Sequence, residues 1–183
     1  QGTVAETNEQ DNISQVLGVG VIKVAIENTQ TPDLLGAGLT ASGAVTQLTK
    51  GSNVALNYTV RNDGKKGTGS IASDVAVRFY LYRLNAGEAN VLNLNDTQRT
   101  IALGVTDDDA LFLPDINGET TAPAQLVEVI LPSASSPFWA NNPAGTRYFI
   151  GMVSDSGSLI AESDELNNQN VGLGLDSIEI TVV

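Results

Sequence analysis

From Asn53 onward the chain alternates apolar and polar residues with period two, in short runs interrupted by Gly, Asn, Asp, Ser and Pro. That pattern confines it to strands with one face buried. In NVALNYTVR, Val54, Leu56, Tyr58 and Val60 share a face, and Ala55, Asn57, Thr59 and Arg61 share the other. The run DVAVRFYLYR places Val75, Val77, Phe79 and Leu81 inside and leaves Arg78, Tyr80 and Tyr82 outside. Between the two runs, Asn62-Asp63-Gly64 supplies residues that tolerate positive φ.

Further runs are RTIAL (99 to 103), QLVEVIL (125 to 131), RYFIGMV (147 to 153) and SIEITVV (177 to 183). With residues 33 to 40 they make about seven strands, and no helix is expected beyond a turn near 14 to 17. Seven short strands joined by turn chemistry predict an all-β fold, an immunoglobulin-like β-sandwich of antiparallel strands. Phe138 and Trp139, just ahead of RYFIGMV, are expected to plug one end of its core.

Composition removes most alternatives to a binding or structural role. The 183 residues carry 9 Lys plus Arg against 21 Asp plus Glu, a net charge of -12, so the field of the chain repels nucleic acid and anionic membrane surfaces. There is no Cys and no His, which excludes a thiol nucleophile, a histidine base, a Cys/His zinc site and disulfides. Aromatic residues are only 5%, too few to line a sugar cleft around a carboxylate pair, and no GxSxG occurs, so no enzyme is expected. No stretch reaches 18 apolar residues, so no membrane span is expected. The opening Gln1-Gly2, in place of Met, fits removal of a secretory signal and a secreted, extracellular protein.

Several segments together resemble the CARDB family, the cell-adhesion-related domain of bacterial and archaeal surface proteins. They are TPDLLGAGL (31 to 39), GSNVALNYTVRNDG (51 to 64), VAVRFYLY (75 to 82), PAGTRYFIGMVSDSGSLIAESDELNN (143 to 168) and SIEITVV. The resemblance covers roughly Thr31 to Val183, and VRNDG and AESDELNN are its most specific parts. It implies an immunoglobulin-like fold and an extracellular, non-enzymatic role in adhesion or surface architecture. The chain departs from it in two places: residues 84 to 126 are longer than the usual connection, with an acidic insertion at 104 to 124, and residues 1 to 30 lie outside it.

Two acidic segments are candidate cation sites. Asp107, Asp108, Asp109, Asp115, Asn117 and Glu119 fall within 13 positions, and a hard cation such as Ca²⁺ needs six to eight oxygen ligands. The spacing is not that of an EF-hand, and a solvated loop with an Asn-Gly turn is the competing reading. The second segment joins Asp155 to Glu162, Asp164 and Glu165 of AESDELNN. Asp and Asn also cap turns by binding their own backbone, and that reading is favoured here.

A third candidate lies in the tail. Residues 1 to 12 are polar and without period, but VGVIKVAIEN (19 to 28) alternates again, with Ile22, Val24 and Ile26 opposite Val19 and Val21. This is an extra N-terminal strand. It either joins the sheet of its own chain or adds to that of a neighbouring copy, leaving through the loop-like ENTQTPD (27 to 33). Strand donation repeated head to tail makes an open filament, so the expected partners are copies of the same chain. The alternative is a monomeric module for a surface glycan or protein, with Arg78, Tyr80 and Tyr82 as its contact patch.

Overall fold

The structure is a computed structural model, which describes residues 31 to 69, 75 to 143 and 147 to 183. The expected N-terminal strand and the turn near 14 to 17 lie outside the described residues. Strands are numbered in chain order. One sheet runs β1 (Leu34–Ala41), β2 (Asn53–Asn62), β9 (Gln125–Ile130), β6 (Gly104–Val105), with β8 (Thr120–Thr121) against the end of β2. The other runs β11 (Ser177–Thr181), β10 (Arg147–Val153), β4 (Arg78–Arg83), β5 (Thr100–Ala102), and β3 (Val75–Ala76) pairs with β7 (Phe112–Leu113). Every pairing between named strands is antiparallel. This is the expected all-β sandwich, and each expected strand of the body is present.

The alternation of β2 becomes the core directly: Val54, Leu56, Tyr58 and Val60 are all buried, facing Phe79, Leu81, Tyr148 and Ile150 of the other sheet. Tyr58 keeps its hydroxyl satisfied by donating to the Ala110 carbonyl at 2.6 Å. Its ring meets Phe79 edge-on at 5.4 Å. DVAVRFYLYR breaks at Val77, whose N–H donates to the Leu111 carbonyl at 2.8 Å instead of continuing one ladder. The insertion thereby pulls β3 out of the main sheet.

Two devices close the ends of the sandwich. Residues 45 to 48 run beside β11, with the Leu48 N–H on the Thr181 carbonyl at 2.9 Å and the Thr181 N–H on the Val45 carbonyl at 3.0 Å, which covers that rim. At one end, Phe138 and Trp139 sit buried in a single helical turn, α1 (Phe138–Asn141), as the sequence led us to expect. The Trp139 indole N–H donates to the Pro132 and Ser133 carbonyls, and Lys50 lies over the ring at 5.1 Å.

The VRNDG turn ties β2 to the start of β1. Asn62 is fully buried; its side-chain oxygen accepts the N–H groups of Asp33 and Gly64, and its amide donates to the Lys66 and Ile116 carbonyls. Only glycine fits at 64, because a Cβ there would run into the Thr31 carbonyl and the Pro32 backbone.

Candidate functional site

The acidic insertion divides into two turns. Asp107 caps a short 3-10 turn, Asp108–Leu111, by accepting the Asp109 N–H at 3.1 Å, while Asp108 and Asp109 stand exposed. Asp115 accepts from the Thr68 hydroxyl and the Gly69 N–H, both at 2.8 Å, which fastens it to the chain after VRNDG. The Asn117 carbonyl takes the Thr120 hydroxyl, and the Glu119 N–H, at a φ of 56°, reaches the Gly64 carbonyl. Each half therefore has a local bonding role. Among the described residues no group of three or more carboxylates is placed to hold a metal ion.

The connection from β10 to β11 is built differently, because polar groups are packed inside it. Asp155 is almost fully buried, and its carboxylate accepts the Leu159 N–H at 3.1 Å and the Ile160 N–H at 2.8 Å. Asp164 accepts the Leu166 N–H, and Glu165 the Glu162 N–H. Glu162 accepts the Leu34 N–H, so the carboxylate pins the start of β1. Burial pushes the Glu162 carboxyl up to about 7, against the pull of the Leu34 N–H and the Asn168 side chain, and the nearby charges of Asp155 and Glu165 add to the rise. Further along, Asp176 accepts the Val171 and Gly172 N–H groups, and its burial raises its carboxyl as well. Asp155, Asp164, Glu165 and Asp176 thus bond local backbone N–H groups, as turn caps do, while Glu162 ties the connection to β1.

The amides Asn167 and Asn168 of AESDELNN belong to the candidate segment by sequence, whereas Ser154 and Gln169 do not. Ser154 and Asn168 are buried, the Ser154 N–H donates to the Asn168 carbonyl at 2.8 Å, and the Asn167 amide donates to Asp33 at 2.7 Å. The signal was present as the run ELNNQN, but Asn and Gln read as turn formers unless their burial is known.

The expected contact patch on β4 needs correction. Arg78 is exposed, but Tyr82 is only 1% exposed and Tyr80 packs against the same cluster. Residues 84 to 99 fold over this face, so that Leu84 and Leu92 bury Tyr82 together with Phe149 and Val153. Gly151 makes room for it, since a Cβ there would stand 3.2 Å from Leu92. Arg99 stacks over the Tyr82 ring at 4.8 Å and pairs with Glu88 and Asp96 at 2.7 and 2.6 Å. Tyr82 is a structural residue, not a contact for a ligand.

No family profile and no curated protein matches this chain. Among solved structures, it is similar to the crystal structure of the CARDB domain of the PF1109 protein from Pyrococcus furiosus in complex with di-metal ions. The identity is 14%, over 84% of this chain and 96% of that one, with a TM-score of 0.43. The solution NMR structure of the same CARDB domain is similar at 13% identity, over 84% and 97% of the two chains, with a TM-score of 0.39. A third, the Pseudomonas fluorescens alkylpurine DNA glycosylase AlkC bound to DNA containing an abasic site analog, is 10% identical. There the likeness covers 81% of this chain but 30% of the enzyme, with a TM-score of 0.41. Two of the three are the domain that the sequence segments resemble; the sandwich itself rests on the pairings given above.

Proposed function

We propose that this chain is a non-enzymatic, extracellular adhesion or structural module that assembles with copies of itself through the strand at 19 to 28. The observation that carries the reading is the state of β1. It is an eight-residue strand at the rim of its sheet, paired with β2 and otherwise tied at the Leu34 N–H, held by Glu162, and at the Leu39 N–H, which reaches the Gly174 carbonyl at 3.1 Å. A rim of that length is a template for a further strand, and natural sandwiches cover, shorten or charge such rims. Leu173 and Leu175 stand exposed beside it, apolar surface that an added strand would cover. A strand carrying Val19, Val21, Ile22, Val24 and Ile26 has the length and alternation to pair there.

The test is the size of the full chain by light scattering and negative-stain microscopy. Filaments or large oligomers are expected, and the double substitution Ile22→Asp with Val24→Asp should reduce them to folded monomers. A monodisperse species of 19.1 kDa from the unsubstituted chain overturns the reading and leaves a self-contained module for a surface glycan or protein.

A further inference from the structure

We propose that the cleft between the turn at 154 to 158 and the run 165 to 169 is a site for one hard divalent cation of the calcium type. The ligands are side-chain oxygens of Ser154, Asp155, Glu165, Asn168 and Gln169. The site belongs to the single chain, whether or not copies assemble.

The first observation is where hydrogen-bonding capacity is left over. A buried acceptor without a donor costs about 1–3 kcal/mol, so folded chains leave few of them. Nine buried side-chain polar atoms among the described residues lack a partner, and five lie in this one connection: Ser154 Oγ, Glu162 Oε1, Asn167 Oδ1, Asn168 Oδ1 and Gln169 Oε1. All five are oxygens. Ser154 is 0% and Asn168 7% exposed, so bulk water does not serve them.

The second observation is that the residues proposed as ligands line the same cleft. Ser154, Asp155, Glu165, Asn168 and Gln169 line one open cleft of about 240 Å³, and neither Lys nor Arg is among its lining residues. A buried carboxylate is ordinarily paired with a cation or ligates a metal. Asp155 is 2% exposed and has only backbone N–H donors, which fix its carboxylate in place while leaving each oxygen a further lone pair. Glu165 adds a second carboxylate, held by the Glu162 N–H at 3.0 Å. Two carboxylates with amide and hydroxyl oxygens, completed by water through the open mouth, make the mixed oxygen set that Ca²⁺ accepts and Mg²⁺, with its stricter octahedron, accepts less readily.

The full chain, stripped with chelator, is titrated with Ca²⁺ by calorimetry and by thermal melting, with Mg²⁺ as comparison. One Ca²⁺ per chain is expected, with a Kd on the order of 10⁻⁴ M as in other extracellular modules, and a melting temperature that rises with Ca²⁺. Gln169→Ala and Glu165→Gln should each weaken binding at least about tenfold without lowering the calcium-free melt, since the first removes an oxygen that has no partner and in the second Gln keeps an acceptor for the Glu162 N–H. Asp108→Asn with Asp109→Asn should leave it unchanged. Absence of binding heat and of any melting shift in millimolar Ca²⁺ overturns the proposal. Binding that survives the cleft variants and disappears with the Asp108 and Asp109 changes overturns it equally, and moves the ion to the acidic insertion.

Discussion

The two faces of β4 and β10 are alike in composition and opposite in origin. The inner face, with Phe79, Leu81, Tyr148, Ile150 and Met152, is covered by the other sheet of the sandwich. The outer face, with Tyr82, Phe149 and Val153, is covered by a loop that the chain supplies from residues 84 to 99. Both sets of side chains are below 10% exposure. Burial on the inner face is enforced by strands paired on several sides, whereas the roof over the outer face is held by a few contacts: Leu92 N–H and carbonyl to the Asn170 side chain, and Arg99 to its acidic partners. Equal burial therefore does not mean equal resistance to loss.

The largest effect should come from the inner face. Leu81→Ala opens a cavity between two sheets that cannot close over it, and about 3–4 kcal/mol of stability should be lost in denaturant unfolding. Leu92→Ala removes the same atoms from the roof, where the loop can settle inward, and about 2 kcal/mol is expected. The m-value should stay constant for both. A Leu92→Ala loss equal to that of Leu81→Ala would break the comparison, because it would make the roof as integral to folding as the sandwich.

The same contrast explains which parts of the fold were legible in sequence. Alternation tells where a side chain points, so the inner residues of β2, β4 and β9 could be named from their spacing. It does not tell what lies beyond the face, and Tyr80 and Tyr82 were read as exposed because period-two logic assigns solvent to the side opposite the core. Leu84 and Leu92, in a connection rich in Asn, and Gly151, distant from them in sequence, record the second layer. The strands β6, β7 and β8 escaped for a related reason: each is two residues long, too short to show a period. At the candidate site, the carboxylates were visible as residue types, and their turn-capping role followed from the known habits of Asp. The unpartnered oxygens of Ser154, Asn168 and Gln169 were not visible, since burial decides whether an amide is a turn former or a potential ligand.

The smallest effect should come from the charged clasp of the roof, and it carries a pH dependence that the inner face lacks. Arg99→Lys keeps the charge but loses the planar fork that spans Glu88 and Asp96 while stacking on Tyr82, so a loss of about 0.5–1 kcal/mol is expected. The backbone N–H of Asn85, with Arg99 and Tyr82, holds the Glu88 carboxyl below its usual 4.5, and Arg99 holds Asp96 below its usual 3.8. Carboxyls lowered on folding stabilise above their unfolded values and lose that contribution as pH falls through the folded ones. The roof should thus loosen in acid, below about pH 4, before the sandwich does. A global melt would blur this, because Glu162, raised to about 7 from 4.5, works in the other direction: its stability is present below 4.5 and declines as pH rises through 7. Hydrogen exchange at the Leu92 amide, which donates to Asn170, reads the roof alone. Its protection should fall in acid ahead of the β10 amides and be weaker in Arg99→Lys at neutral pH; simultaneous loss of both would show that the roof and the sandwich open as one unit.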